Sequence, residues 1–141
     1  MLDLNGFSDT IGALTVAEGD VKTGTGTLTL GGDLTSPAFA GSGNGSISGN
    51  LSFGSAIRTI NVGNSAISSA ELIVPASLSG TGGFVKMGTG TLLLGGSNTY
   101  SGLTTLSNGL VTVTNKYAFG SGVSGTVLAG GSLELGDVDV N

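Results

Sequence analysis

The chain has 141 residues, a formal charge of −5 and 28 glycines, with no His, Cys or Trp. Its four basic residues (Lys22, Arg58, Lys86 and Lys116) leave no positive footprint for nucleic acid or anionic lipid. Charged residues at 9% with positive mean hydropathy argue against disorder, no run of about 18 apolar residues exists to cross a membrane, and the missing His and Cys remove the usual general base, thiol nucleophile and transition-metal ligands.

In chain order, Leu2 to Asn5 reads as a short strand closed by an Asn-Gly turn at Asn5-Gly6. A second strand is expected over 11–16. Thr27-Leu28-Thr29-Leu30 is a third, with Leu28 and Leu30 on one face and the threonines on the other. The Gly- and Ser-rich stretch 36–45 reads as a loop. Residues 46–53 follow, with Ile47, Leu51 and Phe53 facing inward. Further strands are expected over 59–62, 71–74 (halted by Pro75), 104–106, 110–114, 126–128 and 133–135. No window carries apolar residues at helical spacing.

Short strands every 8 to 12 residues or so fit a sandwich, a barrel or a solenoid. An internal repeat decides. The twelve residues Val21–Gly32 (VKTGTGTLTLGG) recur as Val85–Gly96 (VKMGTGTLLLGG), 64 residues on, differing only at Thr23/Met87 and Thr29/Leu93. Stacked coils of a parallel β-helix give equivalent positions the same environment, which a sandwich does not. Coils of about 20 to 22 residues would put three coils between the two stretches and stack one over the other. About six or seven coils fit the chain. The related units are approximately 1–64 and 65–132. The remainder, with Leu133-Glu134-Leu135-Gly136 resembling Leu2-Asp3-Leu4-Asn5, reads as the start of a further unit.

The segment from Gly83 through Leu106, with Lys86, Gly88, Gly90, Leu92, Leu94, Asn98 and Tyr100 in order, resembles the autotransporter-associated β-strand repeat, also described as the passenger-associated repeat. The first stretch keeps Lys22, Gly24, Gly26, Leu28 and Leu30 but reads Leu34-Thr35-Ser36 where the second has Asn98-Thr99-Tyr100. The resemblance implies an all-β, right-handed single-stranded parallel β-helix in an exported, extracellular or cell-surface protein. It implies a structural element that supports folding and secretion of the passenger and is not itself catalytic. The twelve residues just named are structural repeat positions on this reading, and no cofactor or metal is called for. The partners implied are further β-solenoid repeats end to end, identical copies forming a fibre included, with no nucleic acid and no membrane insertion.

Each chemical alternative meets a plainer reading. Asp137-Val138-Asp139-Val140-Asn141 puts its oxygens on one face, but lacks the rest of a calcium loop and reads as the solvent side of a strand. Arg58 has no acidic neighbour in sequence for lyase chemistry. Lys22 and Lys86 hold the same repeat position, which suits a corner or stacking role shared by both. Gly24-Thr25-Gly26 and Gly88-Thr89-Gly90 precede strands, whereas a phosphate cradle precedes a helix. The array Thr23-x-Thr25-x-Thr27-x-Thr29 would need its like on consecutive coils to order water. The phenylalanines are expected inside and Tyr100 at a turn, free to project. Leu93 is expected to be covered by a neighbouring segment or by the loop around Tyr100. The leading expectation is a stiff β-helical spacer or fibre-forming unit. A carbohydrate- or surface-binding adhesin segment and a polysaccharide-degrading β-helix are the alternatives.

Overall fold

The computed structural model describes residues 1–41 and 43–137, and these form fifteen strands, every pairing among them parallel. The strands are β1 (Leu2–Asp3), β2 (Asp9–Ile11), β3 (Leu14–Thr15), β4 (Gly19–Leu30), β5 (Leu34–Ser36), β6 (Gly45–Ser52), β7 (Arg58–Val62), β8 (Leu72–Val74), β9 (Ser77–Ser79), β10 (Phe84–Met87), β11 (Thr91–Leu94), β12 (Thr104–Leu106), β13 (Leu110–Val113), β14 (Thr126–Leu128) and β15 (Ser132–Leu135). The chain visits three ladders in turn as far as β9 and then alternates between two of them, which makes a single-stranded β-solenoid of about six coils.

The first ladder runs β1, the start of β4, the start of β6, β8, β11, β13, β15. The second runs β2, the end of β4, the end of β6, β9. The third runs β3, β5, β7, β10, β12, β14. A parallel ladder of this kind needs no hairpin, because each strand meets its neighbour one full coil later. Side chains alternate across it, so one residue in two faces the interior. Leu28, Leu30, Ile47, Leu51, Leu72, Leu92, Leu94 and Val111 are all buried there. The expected inward set of Ile47, Leu51 and Phe53 is found inside, as are Leu28 and Leu30.

Coil length is not uniform. On the first ladder Leu2 pairs with Val21 and Val21 with Ile47; Gly45 pairs with Leu72, Leu72 with Leu92, Leu92 with Val111 and Val111 with Leu133. The longer coils are the two that contain the connections from β5 to β6 and from β7 to β8. These connections meet at one corner, where the Phe39 N–H donates to Ser65 Oγ at 3.1 Å. They have a consequence for the repeat. Val21-Lys22 lies on the first ladder and Thr27–Leu30 on the second, but Val85-Lys86 lies on the third and Thr91–Leu94 on the first. The two stretches are therefore displaced by one ladder and do not lie over each other. The expectation of exact stacking fails because the inserted connections make 64 residues fall short of three coils.

The strand over 11–16 is in fact two strands, β2 and β3, on different ladders. Strands β5, β9 and β10 were not anticipated as elements. Phe53 and Phe84 are buried as expected, but Phe7 is exposed in a turn and Phe39 and Phe119 are half-buried. Leu93 is half-buried on the outside of the first ladder, between Ile73 and Thr112 in register on the adjacent coils. Its cover comes from neighbouring coils of the same body.

Candidate functional site

The densest group of buried polar side chains gathers around the second stretch. On the third ladder the inward file reads Leu34, Ile60, Lys86, Leu106, Leu128 in register. A lysine thus occupies a rung between an isoleucine and a leucine, and it is fully buried. Burial of an ammonium is tolerated only with partners. Lys86 Nζ shares its three protons among the carbonyls of Met87 (2.9 Å), Gly88 (3.0 Å), Gly90 (2.9 Å) and Asn108 (3.2 Å). The chain makes this cradle by turning sharply after Met87. Gly88 has φ of 75°, and a side chain there would collide with Val62 O. At Gly90 a Cβ would strike Gly63 O and press Glu71 Oε2.

Glu71 is the second buried charge, and nothing in the sequence singled it out. Its Oε1 accepts the Ser65 N–H at 2.9 Å and its Oε2 the Thr91 N–H at 2.7 Å. The carboxylate so replaces backbone acceptors at the corner where the chain enters β11. Desolvation lowers the Lys86 pKa to about 8, and the charge of Glu71 opposes the fall. Lysine and glutamate are neighbours through field more than contact. Among the described residues the ion pair within 4 Å is Lys22 with Asp20 at 3.9 Å, on the surface.

Asn98 and Tyr100 complete the group on the next turn of the chain. Asn98 Oδ1 accepts the Leu78 N–H at 2.8 Å, and Asn98 Nδ2 donates to Ala118 O at 2.6 Å. One buried side chain thereby ties the coil before it to the coil after it, where no regular strand does so. Tyr100 does not project. Its ring is buried against Phe53 and Phe84, with centroids 5.4 and 5.8 Å away, and its hydroxyl meets Thr104 Oγ1 at 2.6 Å. Burial raises the phenol to about 12, against the hydrogen bond to Thr104. The apolar ring and the buried Thr104 hydroxyl together make the interior a better place for Tyr100 than the turn surface.

The first stretch is built differently. Lys22 lies outward beside Asp20, half-exposed, between Asp3 and Ser48 in register. Thr23 takes the buried place, its Oγ1 accepting the Asn50 N–H at 2.7 Å. Gly24 keeps a left-handed φ of 63°, and the neighbour of Gly26 is the Phe7 carbonyl. Leu28 and Leu30, like Leu92 and Leu94, are fully buried. The shared role expected of the two lysines is not what the structure shows.

The other candidates resolve as follows. Arg58 holds the corner after Phe53, donating to Phe53 O at 3.2 Å and Gly31 O at 2.9 Å, with no carboxylate pair. Hydroxyl residues do align on consecutive coils of the second ladder, Thr10, Thr29, Ser52 and Ser79 in register. However, Ser52 Oγ accepts the Gly54 N–H and Ser79 Oγ donates to Leu51 O, so these hydroxyls are turned back onto the backbone. The motif beginning at Asp137 lies, from Val138 onward, outside the described residues. A concavity of about 350 Å³ opens at the β1 end, lined by Leu2, Leu14, Val16, Glu18 and Val21 among others; it is the uncovered interior of the first coil. Among the described residues no three His, Cys, Asp or Glu side chains are grouped to hold a metal.

Residues 84–113, the span that carries Lys86, Asn98 and Tyr100, match the family described as passenger-associated-transport-repeat. A curated relative, the adhesin BmaC autotransporter of Brucella suis biovar 1 (strain 1330), is 37% identical over 117 residues, which covers 74% of this chain and 3% of that protein. The chain thus spans a small fraction of the length of the relative it matches. No solved structure matches it.

Proposed function

Because residues 84–113 match the family described as passenger-associated-transport-repeat, we propose that this chain serves as a stiff β-solenoid segment in the exported passenger of a surface protein. The observation that carries the reading is the unbroken parallel pairing of the first ladder from β1 to β15. Every coil is paired to the next on the first and third ladders, so load on the chain is spread over many backbone bonds and stability accumulates by nearest-neighbour contacts. The buried lysine, glutamate and asparagine satisfy the corners, where a solenoid's backbone is otherwise short of partners. The role is mechanical and architectural, and it needs no reaction. Further coils of the same kind continue the ladders end to end. Stacking of separate identical copies into a fibre is the finer form of the same proposal.

Single-molecule pulling on the two termini tests the spacer reading. Coils of about 20 residues should peel in successive steps of roughly 70 Å of contour length. One abrupt all-or-none extension would count against independent coil units. Electron micrographs of the purified protein test the finer form, since filaments require copy-to-copy stacking and isolated short rods rule it out. The adhesin relative supplies a second reading, in which the segment itself contacts a host or glycan surface; binding on a glycan array would favour it over a pure spacer.

A further inference from the structure

Three Asn-Gly pairs occur, at 5–6, 44–45 and 108–109, and the structure treats them unequally. We propose that Asn108 is a site of spontaneous deamidation, and that the Lys86 ammonium directs the product toward isoaspartate. Deamidation begins when the amide nitrogen of the following residue attacks the asparagine Cγ. A glycine in that place offers no side chain to obstruct the attack. The Gly109 N–H already donates to Asn108 Oδ1 at 2.8 Å. Since Oδ1 is bonded to Cγ at about 1.2 Å, the attacking nitrogen is no farther than about 4 Å from its target. Asn108 is exposed, so hydroxide and water reach it. At Asn44 the situation is the reverse. The Gly45 N–H donates to Glu71 O at 2.8 Å, and attack there must first break a backbone bond. Asn5 makes no bond from its side chain to the next amide; its own N–H is held by Asp3 Oδ1, and its φ is 50°.

The chemistry balances without any other reagent than water. Gly109 N loses its proton and bonds to Cγ, and the side-chain nitrogen leaves as ammonia, giving a five-membered succinimide. Water then opens the ring at one of two carbonyls. Opening at Cγ gives aspartate; opening at the former backbone carbonyl gives isoaspartate and turns that carbonyl into a carboxylate. That second carbonyl is Asn108 O, which accepts a hydrogen bond from Lys86 Nζ at 3.2 Å. The ammonium polarises this carbonyl toward water and stabilises the anion that forms on it, which is the logic of an oxyanion site. The product would carry an anion against Lys86 and one extra methylene in the backbone of the corner, and the chain's formal charge would move from −5 by one further negative unit.

The test is a time course of the intact chain near neutral pH, where the Lys86 side chain keeps its proton, followed by peptide mapping and enzymatic isoaspartate labelling. The expected result is fastest conversion at Asn108. Asn44 should lag by about two- to ten-fold, the effect of one net backbone hydrogen bond. The isoaspartate share should also be higher at Asn108 than at Asn5 in the same sample. The Asn108→Gln variant, whose exposed side chain leaves the cradle's backbone carbonyl in place, should fold and lose the signal. Earlier conversion at Asn44 or Asn5, or an isoaspartate share at Asn108 no higher than at Asn5, would overturn the proposal.

Discussion

In Val21–Gly32 the valine points inward and the lysine outward; in Val85–Gly96 the valine is half-buried on the outside and the lysine is fully buried. Past the corner the two stretches agree, with Leu28 and Leu30 inward in one and Leu92 and Leu94 inward in the other. A register irregularity between Lys22 and Thr27 absorbs the difference. A shift of one residue in a strand moves every side chain to the other face, so it must be corrected somewhere before the leucines. The differing positions carry the mark of this: Thr23 is buried and hydrogen-bonded, whereas Met87 is exposed. What the repeat encodes is therefore a path, strand then left-handed glycine corner then strand. The burial of its lysine is set by what surrounds that path. The second stretch has Glu71 and the Asn108 carbonyl at its corner, and the first has Asp20 beside it in solvent.

The largest expected effect separates the two lysines. Lys86→Ala removes the shared donor of four corner carbonyls, at about 1–3 kcal/mol for each buried carbonyl left unpaired. Lys22→Ala removes a half-exposed surface pair and should stay within about 0.5 kcal/mol. Urea denaturation of both variants decides it, and equal losses would mean that the burial of Lys86 contributes nothing specific.

Asn98→Ala comes next. It strands the Leu78 N–H and the Ala118 carbonyl in a buried place, at about 1–3 kcal/mol for each group left unpaired. Its sequence counterpart 64 residues earlier is Leu34, which is simply a core leucine on the third ladder. Leu34→Asn should therefore destabilise the protein and not transplant the tie. A neutral outcome for Leu34→Asn in the same denaturation assay would show that the tie travels with the repeat after all. Tyr100→Phe is a smaller step. It keeps the contacts with Phe53 and Phe84 and loses only the bond to Thr104, about 1 kcal/mol with the unpaired Thr104 hydroxyl as the chief penalty.

Much of this fold could be read from the residues alone, and the limits of that reading have physical causes. Strict alternation in Thr27–Leu30 and the duplicated glycine corners gave the strands and the solenoid, because a two-residue period and a positive φ are local properties. Coil length is not local. The connection between β7 and β8 looks like any polar loop until Ser65 meets Glu71, and its added residues, with those between β5 and β6, shift the second stretch to another ladder. In the sequence Glu71 reads as a strand residue, since a lone acid beside Leu72 carries no sign that two amide groups converge on it. From sequence Tyr100 reads as outside because a turn sequence, Asn98 to Gly102, normally faces water; its burial depends on Phe53 and Phe84, each on a different coil. Asn98 shows the same lesson from the other side, since it belonged to the recognised pattern but its two partners lie 20 residues away in either direction.

The weakest effect concerns pH, and its sign differs between Lys86 and Tyr100. Lys86 has a folded pKa of about 8 against an ordinary 10.5. Between those values the unfolded chain holds a proton that the folded chain has released. Stability from this group is thus lost as pH falls through about 8 and is fully present above 10.5, so it rises with pH across that window. Tyr100 has a folded pKa of about 12 against an ordinary 10. Above pH 10 the unfolded chain ionises first, and stability falls toward pH 12. With no His or Cys in the chain, neither of those side chains adds to the alkaline titration. The two groups together predict a maximum near pH 10. The charge of Glu71 opposes the fall of the Lys86 pKa and so sets the lower edge of this window near 8. Thermal melts from pH 7 to 11 should show the rise disappearing in Lys86→Met and the subsequent fall disappearing in Tyr100→Phe. A rise that persists in Lys86→Met would show that Lys86 is not its source.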